Sequence, residues 1–180
     1  MHKTLEQYDT ITIACKELFV KKNEDYGSSW RIFRTSSLTD QLYIKAMRIR
    51  SIEEAGENKV GDAIEDDYKG LINYGIMALI QSALGTESEL ELSTERLKSL
   101  YDGKLDETRS LMIAKNHDYG EVWREMRISS ITDLILVKLL RIKQIEDNDG
   151  KTIVSEGLDA NFMDIINYAV FALIKLSEKN

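Results

Sequence analysis

The segment KNEDYGSSWR, which begins at Lys22, returns as KNHDYGEVWR at Lys115. Residues 22–54 lie over 115–147 without a gap; about half of the positions are identical, and many others are exchanges such as Leu38 for Ile131 or Ile44 for Val137. After one inserted residue in the second copy the register resumes, so that LINYGIMALI from Leu71 faces IINYAVFALI from Ile165. Self-similarity on this scale marks a supersecondary unit made twice. The fold must therefore place two similar units together.

The chain has 180 residues and no proline, so the strongest helix breaker is absent. Apolar spacing then divides each copy into three helices. The first covers roughly Leu5 to Lys22, with Tyr8, Ile11, Cys15, Leu18 and Phe19 on one side and Gly27 beyond its end. The second starts at Ser37, a capping hydroxyl answered by Asp40, as Ser130 is answered by Asp133, and it ends near Gly56. The third runs from about Asp62, with Glu65 as box partner, to Gly85, and its counterpart runs from Ser155 to about Ser177. Copy one thus occupies residues 1–85 and copy two 93–180, with an acidic connector at 86–92 too short to separate independent domains. Three helices bury their apolar faces poorly alone. The expected fold is an all-α six-helix bundle of two three-helix repeats about a pseudo-two-fold axis.

A formal charge of −7 disfavours bulk nucleic-acid binding, which needs many cations on phosphates, but leaves room for one small phosphorylated ligand. The single cysteine, Cys15, has no internal disulfide partner, and no signal-like or membrane-spanning run stands out. These features predict a soluble, cytoplasmic protein that is not bound to a membrane and is compatible with assembly into a homo-oligomer.

Core packing does not require polar residues to recur, so the recurring ones point to sites. In the opening motif these are Lys22, Asp25, Tyr26, Trp30 and Arg34, matched by Lys115, Asp118, Tyr119, Trp123 and Arg127. They either make a turn, fill the core and solvate a helix end, or stack on a nucleobase and pair with its phosphate. On the second helix Lys45, Arg48 and Glu53 recur as Lys138, Arg141 and Glu146, sharing one face with repeated isoleucines. Such a face serves either an ion-pair network between the copies or a site for an anion and a metal. Thr39 and Asp40 are assigned to capping. Glu53 and Glu57 stand one turn apart with Glu54 beside them, an arrangement suited to a hard cation such as Mg²⁺. On the third helix Asp67, Gly70 and Asn73 form a ladder answered by Asn161, Asp164 and Asn167. Each copy keeps one carboxylate there, on a different rung.

The EExxE pattern of Glu53, Glu54 and Glu57, followed by a helix bearing acids and xxNY, resembles the MazG-like all-alpha nucleoside triphosphate pyrophosphohydrolases, although neither copy completes the second acidic motif. The KNxDYGxxWR segment, the Lys and Arg of the second helix and the INY segment more closely resemble the nucleotide modification associated domain 1 family, here present as two tandem copies. The resemblance implies a nucleotide context. One reading is a Mg²⁺-dependent enzyme in which Glu53, Glu54, Glu57 and Asp67 hold the metal, Glu146 or Asp164 joins them across the two-fold, and Lys45 and Arg48 offset charge on a nucleoside triphosphate. The alternative is a non-catalytic nucleotide-binding or interaction protein serving a nucleotide- or base-modification system. A third is that the polar repeats only tie the halves together.

Overall fold

The computed structural model describes residues 1–85, 89–154 and 156–179. The described residues form six long helices and no strand: α1 (His2–Tyr26), α2 (Thr35–Ala55), α3 (Ile64–Leu84), α4 (Thr94–Tyr119), α5 (Ile128–Asp147) and α6 (Leu158–Ser177). Short 3-10 turns at Ser29–Ile32 and Val122–Arg124 carry the two tryptophans. The repeat is therefore three helices plus a turn, made twice.

At the centre α3 packs on α6, and α2 and α5 complete an inner layer that α1 and α4 cover from outside. The two most apolar helices hold the middle because only there is a nearly all-apolar surface removed from water. A Cβ added to Gly75 would come within 2.6 Å of Ile166 Cγ1, so the glycine is what lets α3 approach α6 closely. Among the described residues helix α6 alone has the length and apolarity to cross a bilayer, which the sequence reading did not expect, but most of it is buried within the bundle.

The two-fold relation shows in contacts that come in reciprocal pairs. Tyr8 Oη donates to Asn167 Oδ1 and Tyr101 Oη to Asn73 Oδ1, both at 2.8 Å. Arg109 meets Asp9 at 2.7 Å and Lys16 meets Asp102 at 2.6 Å. Thr39 Oγ1 donates to Glu146 at 2.6 Å and Thr132 Oγ1 to Glu53 at 2.9 Å, while Lys143 pairs with Asp40 and Arg50 with Asp133. Each bond joins one copy to the other.

The expected capping boxes are not formed. Helices α2 and α5 begin earlier, capped by Arg34 and Arg127 in extended backbone without a side-chain bond, so Ser37 and Ser130 lie inside the first turn. Asp40 and Asp133 are drawn across the seam instead, and Thr39 bonds Glu146 as well as the carbonyl of Thr35 behind it. Helix α3 starts at Ile64 with Ala63 as cap, two residues past Asp62, and α6 at Leu158 with Gly157 as cap; Ser155 lies outside the described residues. The ends of the first three helices are as expected in kind, with Gly27, Gly56 and Gly85 all at positive φ, although α1 continues four residues beyond Lys22 to Tyr26.

Candidate functional site

Each copy encloses a cavity between the end of its first helix, its tryptophan turn and its second and third helices. The copy-one cavity measures about 830 Å³. Helix α1 contributes Lys22 and Tyr26, the turn contributes Trp30, α2 contributes Lys45 and Arg48, and α3 contributes Asp67, Gly70 and Tyr74. Lys45 and Arg48 lie one turn apart on α2 and both reach the Asp67 carboxylate, Lys45 at 3.4 Å and Arg48 through a close N–H···O bond. Arg48 is fixed further by Asn58 and by the carbonyl of Asp62 at 2.9 Å. Gly70 makes the Lys45 position available, since a methyl there would stand 3.3 Å from Lys45 Cε. Lys22 lines the cavity with no ion pair among the described residues.

The copy-two cavity is smaller, about 310 Å³. Asn161 stands where copy one has Asp67, and Asp164 where it has Gly70. The buried Asp164 carboxylate bridges Lys115 at 2.5 Å and Lys138 at 2.8 Å. Burial pulls the Lys115 ammonium down, but the bond to Asp164 carries its pKa above the usual lysine value. Arg141, left without an acid on the neighbouring rung, is exposed and does not line the cavity, and Asn161 donates instead to the carbonyl of Gly157. Trp123 is stacked on Phe171, centroids 4.2 Å apart and planes 2° from parallel, with Arg124 over its ring. Among the rings of the described residues Trp30 meets a tilted Phe19 at 5.9 Å. Met77 holds the place of Phe171, and Met112 that of Phe19.

The sequence profile of nucleotide modification associated domain 1 matches residues 22–82 and again 115–176, most of the chain and most of the walls of both cavities. The chain belongs to this family. Comparison with curated proteins and with solved structures gives no match. In both copies of nucleotide modification associated domain 1, then, the repeated polar residues divide among a cavity, the seam and exposed positions.

Glu53 and Glu146 belong to the seam. Half-buried between the copies, each has its pKa raised chiefly by desolvation, with the threonine bond working the other way. Glu54 is exposed and paired with Arg50, and Glu57 lies beyond the end of α2 beside Lys59, so the expected i, i+4 partnership with Glu53 is not formed. Asp164 stays within its own copy and does not complete the copy-one site. Among the described residues no group of three or more His, Cys, Asp or Glu side chains gathers, and Glu53, Glu54 and Glu57 do not join Asp67 in the donor set expected for Mg²⁺.

Other nominated residues also take structural positions. Asn73 and Asn167 reach their cavities, but each amide donates to a carbonyl of its own first helix, Cys15 or Thr108, and accepts from the other copy's tyrosine. Arg34 and Arg127 are exposed helix caps, and Asp25 and Asp118 are exposed beside the turns. Tyr26 and Tyr119 stand at the cavity mouths, 73% and 74% exposed. Trp30 and Trp123 line the two cavities, whose walls are more apolar than polar; both are nearly buried, and their indole N–H groups find no acceptor among the described residues. The sequence reading passed over Tyr74 and Tyr168, which line the cavities and whose recurrence beside the paired asparagines was the available signal. It also passed over Asp62 and Asp66, which sit at the copy-one cavity without a counterpart that would have drawn notice.

Proposed function

We propose that this protein binds a nucleotide in the copy-one cavity and serves a nucleotide- or base-modification system without itself hydrolysing the phosphate chain. The observation that carries the reading is the convergence of Lys22, Lys45 and Arg48 with Trp30 and Tyr26 in a space large enough for a nucleotide. Aromatic faces suit a base and cations suit a phosphate, and the family's nucleotide context supports the same ligand class. Asp67 holds Lys45 and Arg48 in place before any ligand arrives, which lowers the ordering cost of binding. The hydrolytic reading needs carboxylates gathered on a cation. Of the four acids expected to hold the metal only Asp67 lines the cavity, and Asp62 and Asp66, which line it too, do not gather with it into a three-acid group, so no hydrolytic step is derived.

Titration calorimetry of the full chain against nucleoside mono-, di- and triphosphates, with and without Mg²⁺, tests this. Binding of at least one class is expected, weakened roughly tenfold or more by Lys22→Ala, the loss of one charge-assisted contact. The thermal midpoint should not move, because Lys22 pairs with nothing among the described residues. Absence of binding at millimolar nucleotide overturns the proposal, and pyrophosphate released from any triphosphate overturns its non-catalytic half.

A further inference from the structure

The two cavities differ at one rung of the third helix, and that difference indicates how the ligand sits. In copy two a carboxylate on α6 lies between the lysine that ends the first helix and the lysine of the second, Lys115 and Lys138. In copy one that rung is Gly70, which offers no side chain; Lys45 passes it to reach Asp67 at 3.4 Å, and Lys22 lines the same cavity with no ion pair among the described residues. In copy two a flat ring, Phe171, covers the indole of Trp123. In copy one a flexible thioether, Met77, occupies that position and no ring lies parallel to Trp30 among the described residues.

We infer that copy two fills its cavity with the protein's own side chains, and that copy one takes the equivalent groups from its ligand. Asp164 stands for one anionic group and Phe171 for the base. The ligand's phosphate then sits over Gly70 between Lys22 and Lys45, its base lies against Trp30 with Met77 moved aside, and the chain binds one ligand. The place of one carboxylate accommodates one phosphate group, so a nucleoside monophosphate satisfies the site. Gly70 is the residue that keeps copy one open. An aspartate there would close it, because the contacting Lys45 atoms are the far end of a flexible side chain that shifts to pair with the new acid. This inference rests on the nucleotide reading of the copy-one cavity.

Equilibrium dialysis of the full chain with the ribo- and deoxyribonucleoside 5′-monophosphates, and with inorganic phosphate as the ring-free control, decides it. The parent should bind one equivalent. Gly70→Asp should lose roughly tenfold or more in affinity without a fall in thermal midpoint, and Gly70→Ala should lose much less. Asp164→Gly, made in a Phe171→Met background so that both places are cleared, should bind a second equivalent. A parent that binds two equivalents overturns the inference and leaves the nucleotide reading standing. So does a parent that binds one while the double variant also binds one and Gly70→Asp binds as the parent does. A parent that binds nothing overturns the inference and the nucleotide reading together, whatever the double variant does. Should the double variant fail to fold, Gly70→Asp decides alone: a tenfold loss supports the inference and unchanged affinity overturns it.

Discussion

Along the seam the two copies keep their polar contacts pair by pair, exchanging only lysine for arginine, whereas inside the cavities they have diverged. Tyr8 with Asn167 mirrors Tyr101 with Asn73, and Thr39 with Glu146 mirrors Thr132 with Glu53. Each bond needs one residue from each copy, so a change on either side leaves a buried partner unsatisfied on the other. A cavity is built within one copy, and its acid moves one turn along α3 or α6 provided some cation follows it. Asp67 recruits Lys45 and Arg48, while Asp164 recruits Lys115 and Lys138. Reciprocal contacts resist independent change, and enclosed ones permit it.

The largest test of that comparison is at the asparagines. Asn73→Leu and Asn167→Leu each strip a buried tyrosine hydroxyl and a helix carbonyl of their partners, at a cost of about 2–3 kcal/mol each. Urea denaturation should give two values close to one another. Unequal values would show that the seam is not symmetric in energy as it is in geometry.

A smaller effect separates the copies. Arg48→Ala leaves the buried Asp67 with Lys45 alone at 3.4 Å and should cost about 1–2 kcal/mol, discounted because the arginine is itself partly exposed. Arg141→Ala removes an exposed side chain and should stay within about 0.5 kcal/mol. Equal losses in thermal denaturation would break the claim that the rung shift releases Arg141.

The six helices were legible because apolar spacing and recurrence both report burial, and burial follows from local pattern. The helix starts were not. Ser37 with Asp40 has the form of a capping box, but the extended backbone at Arg34 starts the helix earlier and Lys143 of the other copy takes the aspartate. The cavity cations Lys45 and Lys138, the turn tryptophans and Asp67 were found by their repetition or spacing. Glu53 and Asn73 were found in the same way, yet serve the seam. Recurrence marks a residue as constrained without saying whether a ligand or the other half of the protein imposes the constraint. The distinction depends on which side of α2 faces α5, a relation between copies that spacing within one copy does not contain.

The smallest effect sharpens the symmetric half of the comparison. Desolvation is the main cause that raises the pKa of Glu53 and Glu146, and the nearby Asp133 and Asp40 add to it, against the bonds from Thr132 and Thr39 and the charges of Arg50 and Lys143. A carboxyl whose folded pKa lies above its unfolded value favours the folded state below the unfolded pKa and loses that contribution as pH rises through the folded one. Above its folded pKa each group is ionised where the unfolded chain would hold it more comfortably. Glutamine keeps an acceptor for the threonine hydroxyl and removes the buried charge. Glu53→Gln and Glu146→Gln should each raise the thermal midpoint at pH 7.5 by about 1–2 °C, a modest gain because both sites are only half-buried. The gain should shrink toward pH 4, where the parent carboxyls take up protons. A loss of stability at pH 7.5 in either variant would mean that the ionised carboxylate's hydrogen bond to the opposite copy outweighs its desolvation. A gain in one and a loss in the other would place the asymmetry of the two copies in the seam as well as in the cavities.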